Sequence, residues 1–214
     1  MARSMRGLFL VAGMVAAGLC HGGAIPNGGS LSDVIEVDGD VDTHTFEGAA
    51  GQAGLISVSG TVPLGVAYEV FDPDGASLAS GTYHRRIALT QSGTHTVVVR
   101  SFQRAGTGPY EVHLALAPGA NEHGTIPNGG AVTEAIDADG EIDSFTFPGS
   151  AGQAGLFSVS GAVAGGAYYY VFNPDGTVLE DAASHERIDL EQTGIHTVVV
   201  RSFQRAGTGP YEVH

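Results

Sequence analysis

The chain has 214 residues, with 9 basic against 23 acidic side chains and a net charge of −14 at pH 7. Its basic residues are all arginine, so nucleic acid and anionic membrane surfaces are poor partners and divalent cations are better ones. Its 33 glycines are about twice the usual frequency and indicate a fold with many tight connections.

The first residues read as an export signal. Two arginines are followed by the apolar run Gly7–Leu19, which is shorter than the roughly 20 residues that span a bilayer, and then by small residues. We therefore predict a signal peptide over residues 1–22, secretion to the periplasm or outside the cell, and no membrane insertion. Cleavage after Gly22 and cleavage after Ala24 both satisfy the small-residue rule. Removal of this segment also removes Cys20, so disulfides are excluded from the exported chain.

The rest of the sequence occurs twice at an offset of 101 residues. Ile25-Pro-Asn-Gly-Gly returns at Ile126, and the nineteen residues from His95 to His113 recur unchanged from His196 to His214. A repeat of this length predicts two domains with separate cores rather than a solenoid. The predicted parts are repeat 1 over residues 25–117, a linker over 118–125, and repeat 2 over 126–214. The first copy continues through Leu114-Ala-Leu-Ala, so the second copy is either part of something longer or has a shorter last strand.

Within each copy, apolar residues alternate with a period of two and are bounded by Gly, Asn, Asp and Pro, which predicts short strands. The turn sequences Asp72-Pro-Asp-Gly and Asn173-Pro-Asp-Gly place proline and glycine where a hairpin needs them. About eight strands per copy, with no helical pattern, predict an all-β protein of two tandem, jelly-roll-like β-sandwiches. The first-copy strands are predicted near residues 31–37, 43–47, 55–59, 67–71, 77–79, 86–89, 94–102 and 110–116.

An acidic segment in each copy is the strongest candidate for metal chemistry. Alternate carboxylates in a loop before a strand point the same way, and three of them can converge on a calcium ion, which takes six to eight oxygen ligands. The alternative is a solvated loop whose aspartates make local turn hydrogen bonds. The candidate ligands are Asp38, Asp40 and Asp42, with Asp139, Glu141 and Asp143 in the second copy.

Three histidines are predicted to be structural, and one polar loop in each copy is a candidate for contact with a partner. His44 aligns with Phe145, so an aromatic packing role is predicted for it, and the same role is predicted for His95 and His196. The best candidates for contact with a partner are polar residues in two identical loops. These residues are Gln103, Arg104, Gln204 and Arg205.

Catalytic signatures are missing from the sequence. It contains no Gly-x-Ser-x-Gly nucleophile elbow, no His-Glu-x-x-His zinc motif, and no glycine loop placed to hold phosphate before a helix. We therefore predict that the chain is not an enzyme.

Five ordered motifs, present in both copies, resemble the bacterial pre-peptidase C-terminal domain family. In the first copy they are Asp40-Val-Asp-Thr-His-Thr-Phe, Ala50-Gly-Gln-Ala-Gly, Val70-Phe-Asp-Pro-Asp-Gly, Ser92-Gly-Thr-His-Thr-Val-Val-Val and Gly106-Thr-Gly-Pro-Tyr-Glu-Val. The resemblance implies compact β-sandwiches that accompany secreted peptidases, with the calcium-binding collagen-binding domains of collagenases as distant relatives. Those relatives carry a glutamate-rich segment before the first strand, for which Asn121-Glu122 is a partial match in the second copy.

The resemblance implies an accessory or binding role. We expect a secreted, non-catalytic module that engages an extracellular polymer or a partner protein, with calcium as the one candidate cofactor. The alternatives are a structural spacer of the cell envelope and a fragment of a larger secreted peptidase.

Overall fold

A computed structural model of the protein describes residues 22–204 and 207–214. The predicted export segment, apart from Gly22, lies outside these residues. The described parts contain strands and turns, and they include no helix of the length and apolarity needed to cross a membrane. The all-β prediction is therefore confirmed. The strands are β1 Gly29–Ile35, β2 Val41–Gly48, β3 Ala53–Gly60, β4 Val66–Phe71, β5 Ser77–Gly81, β6 Arg85–Ala88, β7 Gly93–Ser101, β8 Gly108–Ala117, β9 Val132–Ile136, β10 Ile142–Gly149, β11 Ala154–Phe157, β12 Val159–Gly161, β13 Ala167–Phe172, β14 Val178–Ala182, β15 Glu186–Asp189, β16 Gly194–Ser202 and β17 Gly209–Val213.

The first copy is a sandwich of two four-stranded antiparallel sheets. One sheet has the order β1-β8-β3-β6 and the other the order β2-β7-β4-β5. This is jelly-roll wiring, in which successive strands alternate between the two layers except at the hairpin of β4 and β5, which share one sheet. Val97 and Val99 on β7 are fully buried in the core between the layers, whereas the residues between and beside them are partly exposed. The period of two read from the sequence therefore places the core.

The hairpin between β4 and β5 shows why its turn sequence is needed. Gly75 has φ of +83°, which glycine adopts without steric cost. The Asp72 carboxylate accepts hydrogen bonds from the backbone N–H groups of Asp74 and Ala76 at 3.0 and 2.8 Å. These contacts are the turn hydrogen bonds that aspartate makes at the start of such loops.

The second copy repeats this architecture with one difference in its third strand. Its sheets have the orders β10-β16-β13-β14, β12-β17-β9 and β11-β15. In the first copy, β3 pairs with β8 over its whole length. In the second copy, β17 ends at Val213, so β12 pairs with β17 whereas β11 pairs with β15 alone. The equivalent of β3 is therefore divided into β11 and β12.

The two copies pack directly on each other. Leu55 on the outer face of β3 is fully buried, and so are Phe172 on β13 and Val199 on β16, whose side chains lie on the outer face of the second copy. The predicted linker takes part, since Ala120 is also fully buried. A third apolar cluster therefore joins the two cores, and it consists of Leu55, Ala115, Ala117, Ala120, Ile142, Phe172 and Val199.

Candidate functional site

In the first copy the three predicted carboxylate ligands have different hydrogen-bond partners. Asp38 is exposed and accepts a hydrogen bond from the Gly106 backbone N–H at 2.7 Å. Asp40 accepts hydrogen bonds from two backbone N–H groups at the ends of its own loop. Asp42 is fully buried and accepts a hydrogen bond from the Tyr110 hydroxyl at 2.8 Å. Each carboxylate therefore has a separate structural task.

The three equivalent carboxylates of the second copy have the same hydrogen-bonding roles. Asp139 accepts the Gly207 N–H at 2.7 Å, Glu141 accepts backbone N–H groups of its own loop, and Asp143 accepts the Tyr211 hydroxyl at 2.5 Å. These hydrogen bonds do not support convergence of one loop's three carboxylates on a single ion. Calcium at these positions stays a prediction.

A different group does converge, at the junction of the two copies. Within the described residues, Glu122, His123 and Asp143 are the one set of three metal-ligating side chains whose ligand atoms all lie within 4.8 Å of one another. The His123 Nε2 atom lies 3.2 Å from Asp143 and 3.8 Å from Glu122. Its Nδ1 atom lies 3.5 Å from Glu134 on β9. Asp143 is the one predicted ligand in this set, which we call the junction cluster.

Burial and charge shift the protonation of the junction cluster. Burial, together with the nearby carboxylates of Asp143 and Glu141, raises the pKa of the Glu122 carboxyl to about 7 against the lowering effect of His123. The hydrogen bond to Asp143 is the largest cause that raises the pKa of His123. The carboxylates therefore favour the charged imidazolium form of His123. One imidazole with two carboxylates is also a ligand set that suits zinc or manganese better than calcium.

In the first copy, the equivalent place is occupied by a histidine on a strand, whereas His123 lies in the linker. His44 on β2 is fully buried, and its Nε2 atom lies 2.6 Å from the Tyr110 hydroxyl. Its Nδ1 accepts the Gly23 N–H at 3.3 Å, so Nε2 carries the proton and donates it to Tyr110. Burial, followed by the hydrogen bond to Asp42, raises the pKa of Tyr110. The packing role predicted for His44 is therefore incomplete, because the ring is also part of a buried polar chain.

The other two histidines for which aromatic packing was predicted, His95 and His196, have that role. His95 stacks on Phe46 with ring centroids 4.9 Å apart, and His196 stacks on Phe147 at 5.0 Å. Both histidine rings are fully buried.

A cleft of about 310 Å³ lies at one end of the first copy, beside a predicted contact loop. Its exposed apolar side chains are Leu64, Tyr83 and Phe102, which are 64%, 42% and 50% exposed. Leu64 has φ of +68°, a left-handed conformation that only glycine adopts readily. The second copy has glycine at the equivalent position, Gly165, with φ of +79°. We call this surface the Leu64 cleft.

The predicted contact residues lie at two separate places. Gln103 and Arg104 are exposed and directly follow Phe102 at the Leu64 cleft. Gln204 is exposed in the second copy, and Arg205 lies outside the described residues. Sequence reasoning missed Leu64 and Tyr83, although their replacement by glycine and serine in the second copy was a visible signal.

Comparison with known proteins gives likeness at the level of solved structures alone. No family model matches the chain, and no curated protein sequence matches it.

One solved structure is a pre-peptidase domain. The pre-peptidase C-terminal domain of collagenase from Bacillus anthracis is 17% identical, covering 44% of this chain and 93% of that chain with a TM-score of 0.35. Tripeptidyl peptidase 2 is 9% identical, covering 86% of this chain and 22% of that chain with a TM-score of 0.23. Oxalate decarboxylase from Bacillus subtilis is 11% identical, covering 88% of this chain and 72% of that chain with a TM-score of 0.17.

Proposed function

We propose that the chain is a secreted, non-catalytic tandem binding module of the pre-peptidase C-terminal type, which engages an extracellular polymer or a partner protein through the Leu64 cleft. The observation that carries this proposal is the conformation of Leu64. Its side chain is exposed, it lies beside two other exposed apolar rings, and its backbone is left-handed.

The backbone of Leu64 is costly for folding. A left-handed residue with a side chain costs roughly 1–2 kcal/mol relative to one in an ordinary conformation. The exposed side chain recovers little of this cost by burial within the chain. Gly165 in the second copy shows that the same turn forms with glycine. Strain that the fold does not need is typical of residues retained for contact with a ligand.

The contact between the two copies also contributes to the Leu64 cleft. The loop before β10 reaches the first copy, where a Cβ at Gly140 would lie 3.2 Å from both Val58 and Ser59. Asp139 of this loop lines the Leu64 cleft beside Tyr83. Residues of both copies therefore line one cleft, so the contact between the two domains contributes to the proposed binding surface.

Retention on immobilised polymers tests the proposal. The probes are collagen, chitin, cellulose and cell envelopes of the producing organism. Leu64→Gly and Phe102→Ala should each reduce the retained fraction about tenfold, as expected for apolar residues at the centre of a binding surface. Phe203→Ala, at the equivalent position of the second copy, is the matched control and should bind normally.

The same variants separate binding from folding. Leu64→Gly should raise the free energy of unfolding by about 1 kcal/mol, because it removes the backbone strain. Retention of the wild type on none of the probes would favour the spacer function instead. Equal retention of the wild type and both cleft variants would place the contact elsewhere.

The junction cluster supports a second element of the proposal, a bound divalent cation that fastens the linker to the second copy. Calcium is the ion that the family resemblance implies, and zinc is the ion that the His123 imidazole favours. An ion that binds only the folded state raises the melting temperature. Calcium and zinc are therefore titrated separately into chelator-treated protein, with His123→Gly as the control, since Gly22 occupies this position in the first copy. Unchanged melting curves with both ions would remove the cation from the proposal.

A further inference from the structure

A basic pocket lies between the two copies, at a place separate from the Leu64 cleft. Its volume is about 350 Å³, near the lower end of the range of roughly 300–1,000 Å³ that is usual for small-molecule sites. We call it the arginine pocket. Its polar and aromatic lining residues are His84, Arg85 and Arg86 of the first copy, with Tyr170, Arg201 and Phe203 of the second.

Arg86 reaches this pocket from the first copy. It lies opposite Leu55 in the ladder of β3 and β6, so both side chains are on the sheet face that packs against the second copy. The Arg86 guanidinium lies 3.9 Å from the Asp181 carboxylate of β14, and both side chains are about half exposed. An exposed ion pair at this distance contributes little stability. The guanidinium therefore keeps N–H donors for a ligand.

Arg201 lines the pocket from the second copy and is held in a fixed orientation. Its guanidinium carbon lies 4.5 Å from the centre of the Tyr168 ring. One terminal nitrogen donates to the carbonyl oxygens of Ser202 and Phe203 at 2.8 and 3.2 Å, and the other donates to the Tyr170 hydroxyl at 3.2 Å. Among the described residues it has no carboxylate partner, since the arginine ion pairs there belong to other positions. Such a pre-oriented guanidinium loses little conformational entropy when an anion binds.

The arginine pocket is a positive place on an acidic protein. Three of the nine arginines line it, and its lining within the described chain includes no acidic residue. At physiological ionic strength, exposed charges more than about 8 Å apart are largely screened from each other. A single anionic group in the pocket therefore responds mainly to the adjacent guanidinium groups. A densely charged polyanion would also meet the acidic surface around the pocket, so the charge distribution favours a ligand whose negative charges are well separated.

The lining favours an acidic sugar over an acidic peptide. A guanidinium and a carboxylate form two parallel hydrogen bonds. The rings of Tyr170 and Phe203, of which the second is 48% exposed, offer apolar faces for the C–H face of a sugar ring. Sugar hydroxyls accept hydrogen bonds from arginine, whereas peptide N–H groups need acceptors. The backbone carbonyl oxygens of Ser202 and Phe203 already accept hydrogen bonds from Arg201.

We propose that the arginine pocket binds a carboxylate-bearing sugar residue of an extracellular polysaccharide. Arg86 and Arg201 bind the carboxylate, and Tyr170 and Phe203 contact the sugar ring. The two arginines come from different copies, so the site exists only where the copies pack on each other. This inference assigns a second ligand to the module and does not rest on the Leu64 cleft.

Titration calorimetry with the trimer of galacturonic acid is the direct test. The trimer should bind saturably to one site per chain, and its affinity should fall as salt is raised, because screening weakens the contact between guanidinium and carboxylate. The neutral galactose trimer lacks the carboxylate and should bind at least about tenfold more weakly. A hexaglutamate peptide has carboxylates without a sugar ring and should also bind at least about tenfold more weakly than the acidic trimer.

Two matched pairs of variants connect the binding to the pocket. Arg86→Gln should weaken trimer binding about tenfold and leave the melting temperature nearly unchanged. Its control is Arg187→Gln, at the equivalent position of the second copy and outside the pocket lining, which should bind normally. Arg201→Gln should also weaken binding about tenfold. Its control is Arg100→Gln, because Arg100 makes the equivalent contacts with backbone carbonyl oxygens in the first copy but does not line the pocket.

Absence of saturable binding at millimolar trimer would overturn the proposal, and so would equal affinity of the wild type and both pocket variants. Hexaglutamate binding as tight as that of the trimer would contradict the choice of a sugar and assign the pocket to acidic peptides. Leu64→Gly should leave trimer affinity unchanged, so a failure of the arginine pocket is distinguishable from a failure of the Leu64 cleft.

Discussion

The two copies differ most at their third strand, although they are equivalent there in sequence. Gly54 and Gly155 occupy the same position, yet one is pressed against a neighbouring backbone and the other faces open space. Leu55 is fully buried between the copies, whereas its equivalent Leu156 is 69% exposed. The structural constraint on a residue therefore comes from the strand beside it as well as from its own side chain.

Removal of an aromatic ring from the contact between the copies should have the largest effect on stability. Phe172→Ala leaves a cavity at a fully buried position and should lower the free energy of unfolding by about 4 kcal/mol. Phe71→Ala, at the equivalent and partly exposed position of the first copy, should cost about 1 kcal/mol. Urea unfolding measures both. Similar losses would show that the outer face of the second copy is not buried.

The glycine pair sharpens the comparison at the third strand. Gly54→Ala places a methyl group against the Ala115 backbone, so it should cost about 3 kcal/mol by overpacking. Gly155→Ala should be neutral or slightly stabilising, since the site is open and alanine has less backbone entropy to lose. Chemical denaturation of the two variants at one pH is the measurement. Equal destabilisation would mean that the second site is also filled.

The buried tyrosines should separate the two polar clusters. Tyr110→Phe removes hydrogen bonds to both His44 and Asp42 and should cost about 2 kcal/mol. Tyr211→Phe removes one bond to Asp143, whose other oxygen keeps His123, and should cost about 1 kcal/mol. Thermal and urea unfolding give the difference. A larger loss for Tyr211→Phe would show that His123 does not compensate.

The smallest effect concerns pH. Burial lowers the pKa of His196, so the unfolded chain takes up a proton there more readily than the folded one. Stability from the neutral ring is therefore complete above the ordinary histidine pKa of about 6.5 and is lost as the pH falls from there through the lowered pKa of the folded state. His196→Phe keeps the stack on Phe147 and should lose less stability than the wild type between pH 7.5 and pH 5. Equal losses would contradict this assignment.

The strands of the first copy were predictable from the sequence. The alternation of Val97 and Val99 with polar neighbours, and turns such as Asp72-Pro-Asp-Gly, are local signals that fix where strands run and where they end. The repeat then assigned the same order to the second copy. The structure departs from it at β11, because the pairing of a strand depends on its neighbour as well as on its own residues.

The candidate sites were less predictable because they depend on contacts between distant segments. The loop carboxylates Asp38 and Asp40 alternate in sequence as a ligand set would. In the structure, however, each accepts hydrogen bonds from backbone N–H groups of its own. The pairing of His123 with Asp143 joins a linker residue to a residue of the second copy 20 positions away. A signal for it existed in the alignment of the copies, where His44 is replaced by Phe145 and Gly22 by His123.

Native-state hydrogen exchange tests the central difference between the copies most directly. The account predicts that the amides of β11 that face away from β15 exchange roughly a hundredfold faster than the equivalent amides of β3, which β8 protects. Equal protection of β3 and β11 would contradict the account, because it would show that both edges of β11 are paired.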